Sequence, residues 1–203
     1  MYQLTIPMAL VDFLPVLFFG YAAALLQRDL YDKMRKSYFA LFAAGTIDIF
    51  VAGFLKATWK LLYAAGICDF AALNSMMLPL QSIGFLLSGL GIMLMLVKKN
   101  IPLFSIAPAV FKGTGIFISM MVVGLGCICS VLSIVSFKMK KKWASAFFIL
   151  SFLCSMGMGA MSGQDSTQAW VNWTEQTINC VGQGLLMIGV IVLDKAGLRE
   201  FTL

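Results

Sequence analysis

Residues 98–115 read KKNIPLFSIAPAVFKGTG. Whether this stretch crosses a membrane decides the architecture, because the runs on either side of it are membrane-grade. Upstream, 7–27, 38–56 and 74–97 read as spanning helices, and downstream 116–137, 143–161 and 168–194 do the same. A hydrocarbon core of ~30 Å takes about 20 apolar residues in a helix. The chain has 203 residues, 61% hydrophobic and 12% charged, whereas a soluble domain is about 45–50% apolar and about 25% charged. The expectation is an all-α, polytopic transmembrane helix bundle. It has seven crossings if 98–115 spans, and six if that stretch is re-entrant or interfacial.

Charge favours seven. Lys and Arg prefer the cytoplasmic side of a membrane. With six crossings, Arg28, Lys33, Arg35, Lys36, Lys98, Lys99 and Lys112 fall on one side, and the other eight of the 15 basic residues on the opposite side. That is no bias. With seven crossings only Lys56, Lys60 and Lys112 fall opposite the other twelve. Length argues the other way, since Lys98 to Lys112 makes about 22 Å of helix at ~1.5 Å per residue. Snorkelling lysines and local thinning of the bilayer can absorb the shortfall. The favoured topology has the N-terminus outside and the C-terminus in the cytoplasm, in a cell (inner) membrane. The net charge of +6 then reflects orientation, and no nucleic-acid partner is expected. The first Lys or Arg is Arg28, so the first apolar run reads as a retained helix and not as a signal peptide. Residues 57–73 carry Trp59, Lys60, Tyr63 and Asp69 and read as an interfacial connector, with Lys56 and Lys60 snorkelling outward.

The two halves also match each other. A shift of 105 places Lys33, Met34, Arg35, Lys36, Tyr38 and Phe42 on Lys138, Met139, Lys140, Lys141, Trp143 and Phe147. A shift of 98 places Asn74, Gln81, Gly84, Leu87 and Gly91 on Asn172, Asn179, Gly182, Leu185 and Gly189. The expected organisation is a three-helix repeat over 1–97, a linker or short fourth crossing over 98–115, and a second three-helix repeat over 116–203. With a crossing between them the repeats are parallel. This three-plus-one-plus-three layout resembles that of SWEET, PQ-loop and PnuC-like transporters in architecture, without a motif specific to any of them. The resemblance implies transport with a site at the repeat interface.

The candidate site follows from polar side chains at helical spacing. Gln168, Asn172, Glu175, Gln176, Asn179 and Gln183 share one face of the last helix. Asn74, Gln81 and Ser88 recur at intervals of seven in the third. Such groups are costly in hydrocarbon and should face a protein interior or a wet cavity. Amides donate and accept together, so the two stripes suit a polar, largely neutral small molecule. The plain alternative is hydrogen bonding between helices, at ~0.6 kcal/mol per bond. The expected substrate-binding set is Asn74, Gln81, Ser88, Asn172, Gln176, Asn179 and Gln183. Trp170 and Trp173 join it as a stacking platform, their plainer role being interfacial anchors. Glu175, Asp48 and Asp12 are the acids available for a proton or cation. Gly84, Gly91, Gly182 and Gly189 read as close-packing positions.

Absences narrow the chemistry. There is no histidine, and no GxxxxGK[ST], GxSxG or HExxH occurs, so neither an enzyme nor a cofactor or metal site is expected. Cys68, Cys127, Cys129, Cys154 and Cys180 form no CxxC and read as packing residues. The expectation is a small carrier or channel whose partners are the bilayer and its solute. The alternative is a non-transporting subunit, either the substrate-binding component of a larger complex or a scaffold for a membrane or cytoplasmic partner. A homo-oligomer is compatible with either.

Overall fold

The computed structural model describes residues 4–97, 114–161 and 169–202, and those residues fold into helices joined by short turns. The helices are α1 (Ile6–Val11), α2 (Phe13–Leu30), α3 (Lys36–Ala64), α4 (Ala71–Ser75), α5 (Met77–Met95), α6 (Thr114–Lys138), α7 (Ala144–Met161) and α8 (Ala169–Lys195). Among the described residues five stretches are long and apolar enough to cross a membrane: Ile6–Leu30, Lys36–Ala64, Ala71–Met95, Thr114–Lys138 and Ala169–Lys195. Ala144–Gly159 is apolar but shorter. The chain thus has the architecture of a multi-pass membrane protein. The segment 98–115, on which the crossing number turns, lies almost wholly outside the described residues.

Two breaks come from proline. Pro15 has no N–H for the carbonyl of Val11, and the helix is interrupted at Asp12, between α1 and α2. Pro79 does the same to Ser75, and the break falls at Met76, between α4 and α5. By contrast α3 runs unbroken to Ala64. Residues 57–64 therefore belong to a spanning helix and not to an interfacial connector, because nothing in that stretch removes a backbone donor.

The helices close a ring, with α2 packed on α3, α3 on α5, α5 on α6, α6 on α7, α7 on α8, and α8 back on α2. Side-chain pairs fix the directions. The α2–α3 pair is antiparallel: Phe13 meets Phe54 with ring centroids 5.5 Å apart, and Gln27 Nε2 donates to Thr46 Oγ1 at 2.7 Å. The α3–α5 pair is antiparallel, with Gly84 against Asp48 and Ile49 and Gly91 against Phe42. The α7–α8 pair is antiparallel, with Gly182 against Cys154 and Gly189 against Phe148. Two neighbouring pairs are parallel. Along α5 and α6, Phe85 and Gly89 face Gly124, and Met93 Sδ lies 3.7 Å from Cys127 Sγ. Along α2 and α8, Phe18 lies beside Gly184, Arg28 pairs with Asp194, and Lys33 donates to the carbonyl of Phe201.

These directions sort the two ends of the ring. Arg28, Lys33, Arg35 and Lys36, then Lys138 and Lys140–Lys142, then Lys195 and Arg199, all gather at one end. The half of the bundle nearest that end is packed solid by Leu26, Leu30, Tyr38, Phe42, Ile92, Leu132, Val135, Phe148, Val190 and Leu193. Glycines bring backbones together there and at mid-depth, as membrane helices require. A Cβ on Gly45 would lie 2.4 Å from both the carbonyl oxygen of Gly84 and the amide nitrogen of Ser88. Outside the ring, Leu14, Leu17, Ile47, Val51, Val123, Leu153 and Ile188 are exposed and supply an apolar belt for lipid.

Candidate functional site

The half of the ring away from the basic end is hollow. A cavity of about 410 Å³ lies inside it, with walls from Asp12 at the break before α2 and from α2, α3, α5, α6, α7 and α8. Its polar lining comprises Asp12, Lys56, Lys60, Gln81, Ser155, Glu175, Gln176, Asn179 and Gln183. Its apolar lining includes Phe19, Phe50, Phe85, Met121 and Leu125. A mostly apolar hollow with a few convergent polar groups is the usual form of a small-molecule site.

Each polar group reaches the cavity for a local reason. The helix break that Pro15 imposes puts Asp12 at a bend, and its Oδ2 lies 2.6 Å from Lys60 Nζ. Both side chains are nearly buried, at 13% and 8% exposure. Lys56 stands one turn earlier on α3, among the charges of Lys60, Asp12 and Glu175. On α8, Gln176, Asn179 and Gln183 follow one another at three- and four-residue steps and point inward. Gln176 is 3% exposed, and neither its Oε1 nor its Nε2 has a hydrogen-bond partner among the described residues. The Oε1 atoms of Gln81 and Gln183 are likewise buried and unpartnered. Among the described residues these amide atoms make no bond to a neighbouring helix.

The structure thus brings together Asp12, Gln81, Glu175, Gln176, Asn179 and Gln183. Other members of the two stripes lie elsewhere. Asn74 sits on α4, beyond the break at Met76, so it no longer shares a helix with Gln81 and does not line the cavity. Ser88 is fully buried, and its hydroxyl donates to the carbonyls of Gly84 and Phe85 at 2.8 and 3.1 Å. It lies toward the solid half, so shared face did not mean shared depth. Asn172 is buried outside the cavity. Trp170 and Trp173 are 60% and 41% exposed and face outward, the position of interfacial anchors. Asp48 packs its Cβ beside Gly84 and is also outside the cavity.

Lys56 and Lys60 correct the sequence reading. They do not snorkel outward but line the cavity, because Asp12 and Glu175 supply opposite charge within the ring. A signal for this was present. Gly53, Lys56, Ala57 and Lys60 form one face of α3, and small residues beside lysines suit a confined protein interior better than lipid. Comparison with family models, with curated proteins and with solved structures finds no match for the chain.

Proposed function

We propose that this chain is a small membrane carrier or channel for a polar, net-neutral small molecule, held in the cavity between the six helices. The observation that carries the reading is Gln176: an amide 3% exposed that lines the cavity, with both polar atoms buried and without a hydrogen-bond partner among the described residues. Leaving such a group unsatisfied costs roughly 1–3 kcal/mol, and a polar solute recovers some of that cost. The solid half toward the basic end blocks a continuous pore, which favours a carrier that rearranges over an open channel.

The proposed topology has seven crossings, with two parallel repeats flanking a central one. Support comes from α5 and α6, and from α2 and α8, which run parallel side by side. Six alternating crossings would make both pairs antiparallel. The packing registers also agree with the repeat. Gly84 meets Ile49 while Gly182 meets Cys154, and Gly91 meets Phe42 while Gly189 meets Phe147. All four residues on α3 and α7 correspond under the shift of 105, and all four glycines under the shift of 98. The α5–α6 and α8–α2 contacts then exchange under a two-fold axis along the membrane normal, and rocking of one half against the other would alternate access. The proposed orientation, with the basic end in the cytoplasm, follows the positive-inside preference.

Two measurements test this. Reporter fusions at the two termini are expected to lie on opposite sides of the membrane, with the C-terminal one in the cytoplasm. Both on one side would leave six crossings and end the parallel-repeat reading. Purified chain in liposomes, offered uncharged and zwitterionic solutes, is expected to admit at least one of them. Gln176→Leu should lower that flux by about tenfold or more, equivalent to ~1.4 kcal/mol, without changing the elution profile. Binding without flux would instead favour the substrate-binding subunit. Absence of both binding and flux would overturn the proposal.

A further inference from the structure

We infer that the solute is a zwitterion with an apolar side group, recognised by Lys56 at its anionic end and Glu175 at its cationic end. The inference rests on the carrier reading and specifies its substrate class.

The cavity contains two lysines and two acids, and they are not equivalent. Lys60 and Asp12 satisfy each other at 2.6 Å on the wall made by α3 and the bend before α2. Lys56 and Glu175 line the same cavity from α3 and α8. They are close enough to act on each other electrostatically, yet they form no ion pair. A cation and an anion held apart across a shared hollow present the inverse of a molecule bearing both charges. An uncharged solute would leave both groups compensated only through space, by each other and by Asp12, with no ion-pair contact, and that is costly away from water. A singly charged solute would match one and leave the other.

Around this charged pair the remaining lining divides by chemistry. Gln81 and Gln176 offer amide groups that can donate to a carboxylate or accept from an ammonium. Phe19 and Phe85 stand edge to face with centroids 6.3 Å apart and form the apolar floor with Leu125. That floor suits an aliphatic or aromatic side group. The cavity volume of about 410 Å³ falls in the range of small-ligand sites, about 300–1,000 Å³.

The test uses the full chain in lipid nanodiscs, with tritiated phenylalanine as probe and unlabelled competitors. Phenylalanine is expected to bind. N-acetylphenylalanine, which lacks the ammonium, and phenylalaninamide, which lacks the carboxylate, should each be weaker by about tenfold or more. Lys56→Met should abolish the advantage of phenylalanine over phenylalaninamide. Glu175→Gln should abolish its advantage over N-acetylphenylalanine. This crossed pattern is beyond a purely structural role for either residue, and the competitor series on the unaltered chain decides the matter even if a variant does not fold. Equal binding of the blocked forms would overturn the inference. So would failure of phenylalanine, leucine and methionine to compete with an uncharged solute that the chain carries, and in that case the carrier reading stands. If no solute binds or moves, both readings fall together.

Discussion

Gly124→Leu is expected to leave no monodisperse protein in detergent, while Gly115→Leu on the same helix yields as much as the parent. The contrast isolates the α5–α6 seam. A Cβ at Gly124 would sit 2.2 Å from the carbonyl oxygen of Phe85 and 2.7 Å from the amide nitrogen of Leu86. Those are backbone atoms and cannot swing away as the tip of a side chain does. Gly89, one turn further along α5, presses on Gly124 as well, its own Cβ position lying 2.5 Å from the Gly124 carbonyl oxygen. Among the described residues nothing lies within 4 Å of a Cβ at Gly115. Overpacking a tight core usually costs ~1–3 kcal/mol, and here the only relief is to push apart neighbouring helices of a closed ring. Gly124→Ala, with one carbon, should give folded protein of lower melting temperature. Size-exclusion profiles and thermal melts of the three variants check this. Normal behaviour of Gly124→Leu would mean that the two helices do not meet at this seam.

The second large effect concerns the buried pair at the bend. Lys60→Met should destabilise the folded chain strongly, and Asp12→Leu with Lys60→Met should restore much of the loss. Removing one partner of a buried pair costs ~3–5 kcal/mol, because the survivor is left charged without compensation, whereas replacing both by apolar residues is often near neutral. Asp12 and Lys60 are 13% and 8% exposed and lie 2.6 Å apart, which places them among buried pairs. Asp12 also faces the cavity, so water or solute there will moderate the single-variant loss. Thermal melts of the two single variants and the double give the coupling directly. Additive losses would mean that the pair contributes nothing as a pair.

Sequence periodicity located the inward face of α8, because a turn of 3.6 residues assigns Gln176, Asn179 and Gln183 to one side wherever the helix sits. It could not assign depth. Ser88 and Gln81 share a face, yet one lies toward the solid half and the other on the cavity. Nor could periodicity follow Asn74 across the break at Met76, even though Pro79 was visible, since a proline can bend a membrane helix without ending it. The lysines were misread for a related reason. A lysine near the end of an apolar run snorkels when lipid surrounds it and turns inward when acids wait there. Asp12 and Glu175 belong to other helices, far away in the chain.

Apolar runs long enough to match a bilayer made this chain a multi-pass helical membrane protein before any fold was known, because hydrocarbon leaves an exposed backbone no alternative to the helix. Tertiary structure alone decided which helices are neighbours and in which direction they run. It also decided that one half of the ring is solid and the other hollow. Those outcomes depend on close approach between segments distant in sequence, such as Gly89 on Gly124 and Lys60 on Asp12, and no local pattern encodes the partner of a residue on another helix.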